Sequence, residues 1–243
     1  MELTITSIEE SRANFNLISQ RFLDAEAAQA TTAGYGDDSV ESLIAAMNQF
    51  FDIVEAVNLR RTDFVVNDIS DIGEHGLSLL EKFMMKAESL QLVSEKNSLG
   101  QIALVIADWV IENDGTINLL EPIVDALAQA ANAIQDKDQL IALAAFMGEI
   151  AEACSDTIKH DLEVANMHRP WRILNINRGI VATRTHDPET MHNVFANLIN
   201  ALPMDAPGFF KEGMSEMVRL NYPEHVRVVM QEYFDKTDMP QIH

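Results

Sequence analysis

The chain has 243 residues, with 17 Lys+Arg against 38 Asp+Glu and a formal net charge of -21 at pH 7. Hydrophobic residues make up 47%, which argues against global disorder, and a single cysteine excludes a disulfide framework. The charge argues against a surface for DNA, RNA or anionic lipid, because each of these is gripped by clustered Lys and Arg.

The opening Met1-Glu2-Leu3-Thr4-Ile5 carries neither a basic nor an apolar run, which reads against a secretory leader. Ser7-x-x-Glu10 is a capping box, and Phe15, Ile18, Phe22 and Ala25 then share one helical face. Ala30–Asp38, with Gly34 and Gly36, is the one glycine-rich interruption. It divides an N-terminal helix or arm (1–29) from the rest, with 30–38 as a loop. Asp38-x-x-Glu41 repeats the capping box ahead of Val40, Leu43, Met47, Phe51 and Val54. Phe64-Val65-Val66 is the best strand candidate and is too short to found a sheet. A third helix, starting near 72, runs through Leu79, Leu80, Phe83, Ala87 and Leu90.

Leu99–Glu112 is apolar except for a stripe of Gln101, Asp108 and Glu112, so it belongs in the centre. Asp108 also interrupts the longest apolar run, Ile102–Ile111, which falls short of the roughly 20 residues of a membrane span. Pro122 starts or kinks the next helix, whose inner face is Ile117, Leu120, Val124, Leu127, Ala131 and Ile134. Asp136-x-x-Gln139 caps a helix with Leu140, Leu143, Met147, Ile150 and Cys154 inward. Pro170 opens a helix through Trp171. Asp187-Pro188-Glu189 and Asp205-Ala206-Pro207 each place an N-cap acid just ahead of a proline in the first turn, and Pro223 opens the last helix. Residues 39–235 thus read as one all-α domain, followed by a tail at 236–243.

From about residue 72 the helix starts are spaced roughly 15–25 residues apart, so a helix pair takes about 35–45. At the level of architecture this resembles a HEAT- or TPR-type α-solenoid of stacked antiparallel hairpins. An irregular helical bundle gives the same lengths. The W-x2-L-G-x2-Y pattern of TPR units is absent.

Charge is uneven. Residues 1–155 hold 8 basic and 26 acidic residues, whereas 156–243 hold 9 and 12. Between Lys159 and Arg184 the sign reverses locally. On one helix Arg169, Arg172 and Arg184 would fall in a roughly 120° arc, with Arg178 opposite. This is a candidate cationic patch beside Trp171, suited to a carboxylate, a phosphate or an acidic partner. The alternative is that these arginines pair with the chain's own acids.

Catalytic constellations are sparse. Glu189-x-x-His192 matches the helical unit of di-iron proteins, but the chain has no second Glu-x-x-His. Gly34-Tyr35-Gly36-Asp37-Asp38-Ser39 lacks a preceding strand and carries two acids that would repel phosphate. Cys154 reads as a small buried hydrophobe. Among twelve methionines, Met84, Met85 and Met204 are the ones to inspect for exposure.

The leading expectation is a non-enzymatic, cytoplasmic protein-interaction module without cofactor or metal. Its partner would be a protein, with a basic surface complementing the acidic charge, and neither nucleic acid nor membrane. Arg169, Trp171, Arg172 and Arg184 are the expected partner-binding residues. Tyr222-Pro223-Glu224-His225-Val226 is loosely similar to the Asp-His segment of the NarJ/TorD family of acidic, all-helical chaperones. That similarity implies a role in maturing a redox enzyme. Here the stretch sits at the extreme C-terminus, whereas that family places more helices after its motif. A metal oxidase using Glu189 and His192 is the third reading.

Overall fold

A computed structural model describes residues 6–29, 39–59 and 66–238. The protein is all-α. Its described residues form α1 (Ile8–Gln29), α2 (Val40–Asn58), α3 (Val66–Ser89), α4 (Val93–Glu112), α5 (Glu121–Ala133), α6 (Lys137–Ala153), α7 (Asp156–Lys159), α8 (Pro170–Arg184), α9 (Pro188–Ala201), α10 (Ala206–Arg219) and α11 (Glu224–Asp238). The chain divides into two compact units. Among the described residues, one runs from 6 to 127 with Ala153–Ser155, and the other comprises Ala128–Glu152 and 156–238.

In the first unit each of four helices neighbours two others: α1 meets α2 and α4, and α3 meets α2 and α4. That closed ring is the neighbour pattern of a four-helix bundle. Its centre is aromatic. Phe15 lies 5.2 Å from Phe83, edge to face, and 5.9 Å from Phe51, while Phe22 lies 5.4 Å from Phe83. Such pairs add about 0.5–1.5 kcal/mol each beyond their burial. Two glycines let α3 approach its neighbours. A Cβ at Gly73 would fall 2.3 Å from Val110 of α4, and one at Gly76 would fall 2.5 Å from Phe50 of α2. Ion pairs stitch the helices outside this core: Arg12 to Asp52, Lys86 to Glu26, and Arg21 to the buried Glu95, each at 2.7 Å.

Side-chain caps mark the starts of α1, α2, α6 and α9. Ser7 and Glu10 exchange hydrogen bonds at 3.2 Å, a reciprocal capping box. Ser39 caps α2 by accepting from the Ser42 amide. The expected capping residue Asp38 lies outside the described residues, as do the 30–38 loop, Phe64 and Val65. Val66, the last residue of the strand candidate, begins α3 instead. α3 and α4 both start about six residues earlier than the hydrophobic period indicated. Pro122 sits in the first turn of α5, so that helix starts there and is not kinked. α11 runs to Asp238, three residues into the expected tail.

Cys154 lies just past α6, not on it. It forms an isolated parallel bridge with Ile117, where the Ile117 amide donates to Ala153 O and the Ser155 amide donates to Ile117 O. Both bridged residues are buried.

The second unit pairs α8 with α9 and α10 with α11, and α9 also meets α11. Phe195 is the hub of its core, 5.1 Å from Phe210, 5.3 Å from Tyr233 and 5.9 Å from Phe209. Met191, Leu198, Met217, Val226 and Met230 close around it. The Tyr233 hydroxyl is satisfied by donating to His192 O at 2.9 Å.

Candidate functional site

Three of the four expected binding residues gather at the start of α8, and their polar groups turn inward. Arg169, the N-cap of α8, is only 3% exposed. Its Nε and Nη2 grip Asp161 at 2.5 and 3.0 Å, and Nη2 also reaches Asp205 at 2.6 Å. Its Nη1 donates to Val164 O and Asn166 O at 3.1 and 2.9 Å. All five guanidinium N–H donors are thereby used. Arg172 adds an Nε bond to Asp205 at 2.7 Å and an Nη1 bond to Met167 O at 3.2 Å. Trp171 is buried, with its indole N–H aimed at Ala201 O at 3.4 Å.

The electrostatics follow from this arrangement. The Asp161 hydrogen bond raises the Arg169 pKa further above its ordinary value, and burial only partly offsets that. Burial pushes Asp205 up, but Arg172 and Arg169 outweigh it and hold the carboxyl below the usual range. Asp205 was expected to cap α10. It makes no side-chain cap bond, because both oxygens face arginines.

The consequence is a braced loop. Residues 160–169 have no helix or strand, yet Arg169 and Arg172 hold three of their carbonyls and the Asp161 carboxylate, and tie them to the 202–206 turn through Asp205. Asp161 has a positive φ of 49°, a conformation that an acidic residue tolerates and that the Arg169 grip stabilises. Around this network Leu162 is 83% exposed, Met204 78% and Met167 53%, with Val164 also exposed. Four large apolar side chains are thus held exposed on or beside a braced loop.

Arg184 is elsewhere. Its guanidinium donates to Ala131 O and Ile134 O, the orphan carbonyls at the end of α5. Arg178 occupies a third place. Its Nε donates to Ala144 O of α6 at 2.9 Å, and its head lies on α6 where Gly148 has no Cβ. The expected arc of three arginines is therefore two separate sites. Arg169 precedes the helix, and Arg184 turns toward the α5 terminus.

Arg178 was not among the expected site residues. It lines a pocket of about 310 Å3 together with residues of α6 and the start of α9. A faint signal for it was present: a lone Arg on a helix face among Asn, Ile and Gly, with a glycine in an otherwise apolar helix 30 residues earlier.

The first unit offers two acidic features. A groove of about 830 Å3 is lined by Glu9, Asp108 and Glu112 beside Trp109, whose indole N–H donates to Asn58 at 2.9 Å. Among the described residues no lysine or arginine lines it. Separately, the 58% exposed Met85 shares a shallow hollow with Glu81, Glu88, Glu121 and Asp125, and Lys96 pairs there with Glu88. Met84 beside it is buried.

Glu189 is exposed and His192 lies against Tyr233, with ring centroids 5.7 Å apart. Among the described residues no three ligating side chains gather as a metal set, and no helix is long and apolar enough to cross a membrane. No protein-family model matches the chain, and neither does any curated protein or solved structure.

Proposed function

We propose that the chain is a non-enzymatic protein-interaction module whose docking element is the 160–169 loop with the adjoining Met204. The observation that carries this reading is the exposure of Leu162, Val164, Met167 and Met204 around a buried network that spends every N–H of Arg169 on holding the loop. Ordering a loop in advance removes entropy that a partner would otherwise have to supply on binding. Arg169, Arg172 and Trp171 then act by positioning, and the apolar side chains make the contact. The partner is a cytoplasmic protein with an apolar groove. The chain's net charge of -21 favours basic charge on that partner.

The exposed methionines favour one particular version, a maturation chaperone. Met167 and Met204 are unbranched and adaptable, which suits client segments of varied sequence.

The test is affinity capture from native lysate with the full chain and with Leu162→Ser/Met204→Ser. The expected result is a partner retained by the native chain and lost by the variant, with an unchanged unfolding midpoint. Equal capture by both, or no specific partner for the native chain, overturns the reading.

A further inference from the structure

Arg178 is a half-buried arginine of the second unit that makes no ion pair among the described residues. Arg169 and Arg172 hold Asp161 and Asp205, and Arg184 spends its terminal nitrogens on two helix-end carbonyls. Arg178 makes one hydrogen bond, from Nε to Ala144 O, and its terminal nitrogens make no hydrogen bond or ion pair with the described residues. Burial pushes its pKa down, and the field of Glu152 only partly restores it. A guanidinium stays charged under such conditions, so a partly desolvated cation sits here with no ion pair among the described residues.

The position is built. A Cβ on Gly148 would sit 2.3 Å from Nη2 and 2.7 Å from Cζ, so a larger residue there would make the guanidinium shift from α6. Arg178 lines the 310 Å3 pocket, which is at the lower end of the range for small-ligand sites. The lining includes the aliphatic Ile141, Ala145 and Val194. It also includes Asp187 and Glu189. Asp187 is already committed, accepting from the Thr190 amide and hydroxyl at 3.0 and 2.8 Å. Glu189 is exposed at the start of α9 and makes no ion pair among the described residues.

This arrangement sorts ligands by charge. A planar fork of N–H donors matches a carboxylate, the nearby acids oppose a dianion, and Glu189 can accept an ammonium. We propose that the pocket binds a free aliphatic amino acid, with its carboxylate on Arg178, its ammonium toward Glu189 and its side chain against Ile141 and Val194. This site is independent of the docking loop.

The experiment is calorimetric titration of the full chain with L-leucine, L-leucinamide, N-acetyl-L-leucine and inorganic phosphate. L-Leucine is expected to bind. Leucinamide, which lacks the carboxylate, and N-acetyl-leucine, which lacks the ammonium, are each expected to bind at least about tenfold more weakly, and phosphate more weakly still. Arg178→Met is expected to abolish leucine binding, and Arg178→Lys, which keeps the charge but loses the fork, to weaken it. The proposal is overturned if L-leucine does not bind up to about 10 mM, if leucinamide or N-acetyl-leucine binds as tightly, if phosphate binds better, or if both Arg178 variants bind as the native chain does. The leucinamide comparison uses the native chain, so it decides even if a variant fails to fold.

Discussion

The two units use their charged residues in opposite ways. Residues 4–127 hold 21 acidic and 7 basic residues, while 128–238 hold 16 and 10. In the four-helix unit the ion pairs lie outside an aromatic core, and Arg21 remains largely exposed while it reaches Glu95. In the second unit the arginines are structural members. Arg169 is buried, and Arg178 and Arg184 lie across helix backbones. A local excess of positive charge along a sequence therefore need not appear as a positive surface. Where acids are plentiful, an arginine can spend its fork inside the fold.

Asp205→Ala tests that contrast hardest. It leaves Arg172 and part of Arg169 without a carboxylate, and breaking a buried pair from one side costs about 3–5 kcal/mol. Chemical denaturation should show that loss, and hydrogen exchange should rise in 160–169. A loss below about 1 kcal/mol would mean the network is no more than a surface ion pair. The corresponding blow to the first unit is steric. Gly76→Ala drives a methyl into the Phe50 ring and should cost about 1–3 kcal/mol, read by the same denaturation. Ser7→Ala, which removes half of the α1 capping box, should cost about 1 kcal/mol.

The smallest expected effect is on pH dependence. Asp205 and Asp187 both have depressed pKa values in the fold, Asp187 because the Thr190 amide and then its hydroxyl donate to it. A depressed carboxyl contributes stability that is fully present above its unfolded value, near 3.9, and is lost as pH falls through the lower folded value. Thermal midpoints should therefore fall more steeply below about pH 4 for the native chain than for Asp205→Asn. Parallel curves would show that the Asp205 contribution is lost in the rest of the acid titration.

The helices were legible in the sequence wherever their starts carry local chemistry. Ser7, Asp136, Pro170, Asp187-Pro188 and Pro223 mark starts that the structure reproduces within a residue or two, because a cap is a contact between residues three apart. The starts of α3 and α4 lack such marks, and α3 continues N-terminally through Gly73 and Gly76, which dilute the apolar period. The sites were less legible. Arg169 meets Asp205 across 36 positions, and the Asp-Ala-Pro pattern pointed that aspartate to capping. Arg178 depends on Gly148, and nothing local to either residue announces the other. The bias toward an arginine cluster was correct as composition but gave no direction for the side chains.

The Ile117–Cys154 bridge gives the molecule a built-in clock. Cys154 is the sole cysteine of the chain and is 1% exposed beneath two backbone hydrogen bonds. A thiol so placed reacts with an alkylating reagent only when the joint parts, so the labelling rate divided by that of the unfolded chain reports the opening equilibrium at this one seam. Without any engineered probe, each substitution above can be timed against it, separating changes that loosen the seam from those that leave it shut.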